Sequence, residues 1–159
     1  MAESPYSETI IAAIKTAIEG ITIQSGNNRT VSYVGRYDLV NSEEGERPAI
    51  VLRWLGEKKT LSGEDYNVSM SLEVQAKLDY DPYTEDSLDE QLNKLGFDVE
   101  VAIANVDYSA LACTSPDLLT EPLSEIDPDD PVFGVNVRID FAYAVSNTSL
   151  HDPEGPGAV

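Results

Sequence analysis

A long run of strictly alternating residues constrains this chain most. Between residues 66 and 80 every second position is apolar, and the positions between them are polar. The apolar positions are Val68, Met70, Leu72, Val74, Ala76 and Leu78. Side chains of a strand point alternately to the two faces of a sheet, whereas on a helix these residues would be spread over all sides. The run therefore predicts a long strand with one face in a core and one polar face.

Two amphipathic helices are also predicted. A serine followed by a proline at residues 4–5 is a typical helix start, with the serine as the capping residue, and apolar residues recur at helical spacing until Gly20. The same signal at residues 81–82, an aspartate followed by a proline, introduces a longer helix with apolar residues at helical spacing over residues 88–103. Gly96 lies inside this helix, which predicts a kink or close packing there.

Shorter apolar segments predict further strands at residues 31–37, 48–55 and 132–145. Residues 56–63 are expected to turn the chain into the long strand, with a hairpin as one form of this turn. Residues 110–130 give mixed signals: Pro116 and Pro122 argue against a helix, and a strand or an irregular segment both fit.

Together these elements predict an α+β fold, in which a mainly antiparallel sheet carries two helices packed on one face. A single domain is expected over residues 1–146. Residues 147–159 contain two prolines and two glycines and have little to bury, so a flexible C-terminal tail is expected. Long strands with exposed edges invite pairing with another chain, as in a protein that forms rings.

The chain is strongly acidic, with 29 Asp and Glu against 10 Lys and Arg and a formal net charge of −19. Affinity for DNA comes chiefly from Lys and Arg that neutralise phosphates, so this composition argues against a DNA-binding role. Acidity with few lysines suits a high-salt cytoplasm, and ordinary acidity fits equally well. The sequence shows no run of roughly 20 apolar residues and no signal-peptide pattern, so neither a membrane span nor export by that route is expected.

The sequence carries no pattern of a catalytic, metal or cofactor site. One cysteine and one histidine exclude a disulfide within the chain and a His/Cys zinc site. We interpret Cys113 as a buried small side chain, and His151 as a solvated residue of the tail. Acidic runs at residues 43–46 and 127–130 lack the spacing of a calcium-binding loop, which favours solvated loops.

Half of the positive charge lies between residues 36 and 59. With two neighbouring aromatic residues it defines a predicted interface made of Arg36, Tyr37, Arg47, Arg53, Trp54, Lys58 and Lys59. In so acidic a chain, such a patch is suited to an acidic surface on another copy or on a partner. Ordinary charges at strand ends, with the tryptophan in the core, explain the same residues equally well.

A short N-terminal amphipathic helix is followed along the chain by four segments of a characteristic order: Arg47-Pro48-Ala49-Ile50-Val51-Leu52, Leu78-Asp79-Tyr80-Asp81 at the end of the long strand, Leu88-Asp89 in the second helix, and Phe141-Ala142-Tyr143 at the end of the last strand. This order of elements resembles the tail terminators of tailed phages, in particular the lambda-type minor tail proteins that cap the tail tube. The likeness covers about residues 6–146.

The resemblance implies a structural virion protein of the tail or neck, assembled in the host cytoplasm. Such a protein forms a ring, expected to be a hexamer, which ends growth of the tail tube and joins the head-completion or connector protein. DNA would pass through its lumen without specific binding, and the acidity would point to a virus of halophilic archaea. Three alternatives remain open: another neck or head-completion protein, a host-side binding module, and a small hydrolase that uses paired carboxylates.

Overall fold

A computed structural model describes residues 5–37, 47–123, 133–146 and 149–153. Two helices and six strands lie in these ranges: α1 (Tyr6–Glu19), β1 (Tyr33–Arg36), β2 (Ala49–Ser62), β3 (Asp65–Leu78), α2 (Leu88–Ala104), β4 (Asp117–Pro122), β5 (Phe133–Ser146) and β6 (Ser149–Pro153). The strands form one sheet in the order β1-β2-β3-β5-β4, and β6 pairs with the end of β5. Only β1 and β2 run parallel. The predicted α+β class is confirmed.

The central pair of strands, β3 and β5, holds the core. The two pair antiparallel along their whole length, from Asp65 opposite Ser146 to Leu78 opposite Phe133. The six alternating apolar residues of β3 are all buried, and they join the isoleucines of α1 and the apolar face of α2 in one cluster. Burial of each large apolar side chain stabilises a fold by about 1.5–3 kcal/mol. Both helices therefore pack on this apolar face of the sheet, where their own apolar side chains are also buried.

The helices start later than the sequence predicts. Pro5 occupies the N-cap position of α1, and the serine expected to cap it lies outside the described residues. Ser87 caps α2 in a reciprocal pair with Glu90, so the predicted start at residues 81–82 is wrong. The reason is Gln91, whose side chain bonds to both backbone groups of Asp81, at 3.1 and 2.9 Å, and holds that segment as a loop.

Gly96 allows α2 to approach the sheet closely. A Cβ atom at this position would lie 3.2 Å from Cγ2 of Thr120 on β4, which is tighter than an ordinary contact. Of the two expectations for this glycine, close packing is therefore the one that the structure confirms.

The chain enters β3 through a hairpin, which is one form of the turn expected at residues 56–63. The turn itself is shorter than expected, because β2 continues to Ser62 and reverses only at Gly63 and Glu64. The strand register shifts between Trp54 and Gly56, where Gly56 has a φ of +119°. Such a bulge inserts a residue and reverses the alternation beyond it, which hides the strand in the sequence pattern. The result is a long β2–β3 hairpin.

Two uncertain segments become strands. β4 occupies Asp117–Pro122 within the region of mixed signals. Ser149–Pro153 forms β6, so the prediction of a flexible tail is wrong for these five residues. β6 lies on the side of β5 that also carries β4. On that side a bridge joins Cys113 to Tyr143, and β6 then pairs with Val145 and Ser146 at the end of β5.

Candidate subunit interface

One free edge of the sheet lies on β2. β1 pairs with β2 only from Ala49 to Leu52, and Tyr37 adds one backbone hydrogen bond of 2.9 Å to Leu52. Beyond it, residues 53–62 have no strand partner on that side within the described chain; we name this segment the β2 edge. Its exposed apolar side chains include Trp54, 48% exposed, and Leu61, 54% exposed. Unpaired backbone groups beside exposed apolar side chains are a template for another strand.

The β2 edge is predominantly basic. The guanidinium of Arg53 lies 4.6 Å from the ring centre of Tyr37, a cation–π contact that holds two exposed side chains together. Lys59 pairs with Glu57 at 3.0 Å, and the hydroxyl of Tyr143 donates to the same carboxylate at 2.9 Å. Lys58 is exposed and has no ion pair among the described residues. A cation is therefore available for an outside partner.

A second free edge lies on β4, at the opposite side of the sheet. β4 pairs only with β5, and its other side has no strand partner in the described part of the chain. All six of its residues are exposed, including Leu119 at 53%. Asp117 and Glu121 make this edge acidic, and neither is in an ion pair with a described residue. We name residues 117–122 the β4 edge.

Helix α2 adds to the surface beside the β4 edge. The hydroxyl of Thr120 donates to the carboxylate of Glu100 on α2, so the helix and the edge strand are held together. Phe97, one residue beyond the glycine that contacts Thr120, is 60% exposed. The β4 side of the molecule thus carries negative charge and exposed apolar side chains. The β2 side carries positive charge and exposed apolar side chains. Two different, complementary surfaces lie on one sheet.

The structure separates the predicted interface residues into two groups. Tyr37, Arg53, Trp54, Lys58 and Lys59 lie on or beside the β2 edge. Arg36 and Arg47 are engaged elsewhere within the subunit: Arg36 pairs with Glu8 of α1 at 2.6 Å, and Arg47 pairs with Asp79 at 3.2 Å.

Arg47 also lies six residues before Arg53, roughly 20 Å along an extended strand. Arg36 and Arg47 therefore have partners within the subunit, and their place in the predicted interface stays a prediction.

Sequence reasoning missed Leu61 and the whole β4 edge. A signal for Leu61 was present in the sequence: a glycine at position 63 suits a two-residue hairpin turn, and such a turn requires extended chain on both sides of it, including Leu61. For β4 the signal was two adjacent leucines between prolines, which is typical of an edge strand, where a missing N–H costs little.

Cys113 does not have the environment of a nucleophile. Burial raises the pKa of its thiol to about 11, whereas a reactive cysteine needs a lowered pKa. Burial likewise raises the pKa of the neighbouring Tyr108 and Tyr143 hydroxyls. Cys113 is partly buried and packs against the core, so the expectation of a buried side chain holds only in part.

A shallow pocket of about 400 Å³ lies between α2 and the loops that precede it. Asp81 and Asp86 both line it, which brings two carboxylates together. Each already has a partner: Asp81 accepts from the backbone of Tyr83 at 2.9 Å, and Asp86 pairs with Lys94 at 2.5 Å, which raises the pKa of that lysine. The polar groups of this pocket hold the loops in place.

The remaining candidates for chemistry add no site. Among the described residues no group of three or more His, Cys, Asp or Glu side chains could hold a metal ion. The acidic runs at residues 43–46 and 127–130 lie outside the described ranges, and His151 lies in β6. No described helix is long and apolar enough to cross a membrane. No protein-family model matches this chain, and no curated protein matches it either.

Proposed function

We propose that this protein is a structural subunit whose copies close into a ring, and that this ring is the tail terminator of a tailed virus. The observation that carries the proposal is the presence of two different edges on one sheet, basic at β2 and acidic at β4, neither of which has a strand partner in the part of the chain that the structure describes. A subunit with two different complementary surfaces assembles head to tail, and such an assembly is a ring when its rotation closes. The expected ring is a hexamer.

The assignment to a viral tail is supported by the order of elements and by the charge. The order resembles that of tail terminators, which cap the tube made by the tail-tube protein and meet the head-completion or connector protein. A net charge of −19 per subunit lets DNA pass through a lumen without binding, because few cations are available to its phosphates. The same acidity fits a virus of halophilic archaea, since concentrated salt screens repulsion between subunits.

The proposal predicts a direct effect on tube growth. The purified protein is added while the tail-tube protein encoded by the same genome polymerises, and tube lengths are measured by electron microscopy. We expect shorter tubes, each with one added ring at a single end. Tubes of unchanged length with no protein at their ends would contradict the tail assignment. A variant with reversed charges at Arg53 and Lys58 is the control, because it is expected to fold but to form rings poorly.

A further inference from the structure

We infer that neighbouring copies join by strand pairing, with the β2 edge of one copy running antiparallel to the β4 edge of the next. This inference rests on the proposed ring and specifies its contact. Each edge presents backbone N–H and C=O groups that have no strand partner among the described residues, and antiparallel pairing satisfies them while covering the exposed leucines of both edges. The occupant of each edge is therefore a second copy of this chain.

The directions of the strands suit this pairing. Within a subunit β2 is antiparallel to β3, β3 to β5, and β5 to β4, so β2 and β4 run in opposite directions. A rotation about an axis roughly along the strands preserves these directions in the next copy. The β4 edge of one subunit and the β2 edge of its neighbour then meet antiparallel, and the sheet continues from copy to copy.

The faces of the side chains select one register. Lys58 lies opposite Ser69 on the polar face of the sheet, and Glu121 lies opposite Asn136 on that same face. On the helix-covered face, Leu61 lies opposite Tyr66 and Leu118 lies opposite Ile139. Antiparallel pairing of Lys58 with Glu121 also places Leu61 against Leu118. One register thus joins opposite charges on one face and exposed leucines on the other.

The same register staggers the subunits. Within a subunit Leu119 is level with Arg53 across the sheet, through Arg138 and Glu73. Between subunits Leu119 would meet Thr60, which is further along β2. A sheet needs a stagger of this kind to close on itself, because closure requires its strands to tilt relative to the ring axis.

Disulfide cross-linking tests this contact. Cys113→Ser removes the native thiol, and Thr60→Cys with Leu119→Cys places two cysteines directly opposite each other in the inferred register. Directly opposed strand residues meet the geometry of a disulfide. A matched control replaces Thr60→Cys by Ser62→Cys, two positions along, where a diagonal separation of roughly 7–8 Å is too long. Melting curves check that each variant folds, and light scattering measures assembly before oxidation.

After mild oxidation we expect the directly opposed pair to give a ladder of covalent oligomers up to the full ring on a denaturing gel. The control pair, Ser62→Cys with Leu119→Cys, and the variants that carry only one introduced cysteine should give at least tenfold less covalent oligomer. A ring by light scattering without such a ladder would overturn the strand pairing and leave the proposed ring intact. A dimer from Thr60→Cys alone would show two β2 edges meeting, which overturns the inferred contact. Absence of any oligomer in every variant and in the native protein would overturn both.

Discussion

Replacing Leu72 by Asp should unfold the domain. Leu72 is fully buried at the centre of β3, opposite Ile139 on one side and Trp54 on the other. An unpaired carboxylate there costs several kcal/mol, comparable with the total stability of about 5–15 kcal/mol for a typical domain. We expect the cooperative melting transition to be lost or lowered by more than about 15 °C, as measured by circular dichroism.

Ser69→Asp is the matched control for this substitution. Ser69 is exposed on the same strand and faces Lys58 across the hairpin, so a carboxylate there stays solvated beside a cation. Its melting temperature should change by a few degrees at most. A Leu72→Asp protein that melts close to the native protein would show that this face of β3 does not form the core.

Reversing the charges of Arg53 and Lys58 to Glu should weaken assembly without unfolding the subunit. Both side chains are exposed, so the stability of the monomer should change little. An exposed ion pair contributes about 0–1 kcal/mol, and reversal replaces attraction by repulsion at every contact of the ring. We expect about a tenfold rise in the protein concentration needed for assembly, and a smaller difference in concentrated salt. Sedimentation at several salt concentrations measures both effects.

A charge swap sharpens this prediction. Lys58→Glu and Glu121→Lys should each weaken assembly alone, and together they should restore most of it, because the inferred pair is then present with exchanged signs. Arg47→Glu is a control outside the β2 edge: it removes an ion pair within the subunit and should leave ring formation unchanged. If Arg47→Glu weakened ring assembly as much as the β2-edge variants, the net charge of the subunit, and not the β2 edge, would govern assembly.

The sequence predicts the centre of this fold well, because alternation and helical spacing depend on local rules. Leu72 and its neighbours on β3 follow the period of a strand, and Gly20 ends α1 as predicted. Four of the seven predicted interface residues, Arg53, Trp54, Lys58 and Lys59, share one edge because the single strand β2 carries them, and Tyr37 joins them from the end of β1. The local sequence pattern was sufficient to predict a structural feature wherever a single helix or strand formed that feature.

The features that the sequence did not predict depend on contacts between distant segments. Gln91 determines where α2 starts by binding Asp81, and Asp98 of the same helix accepts two hydrogen bonds from Asn28, seventy residues away. The bulge at Gly56 hides the second half of β2. The β4 edge could not be recognised as an interface, because its relation to the β2 edge exists only once the sheet has formed.

The mass of the purified protein in solution tests the central claim, which is that copies of this chain close into a ring. Light scattering coupled to gel filtration should be carried out from low salt to about 2 M salt, with electron microscopy of the same fractions. We expect one species at a fixed multiple of the 17.3 kDa chain, most abundant in concentrated salt, and annular particles in the images. A monomer at every salt concentration, or a continuous series of open chains, would contradict ring closure and with it the terminator proposal.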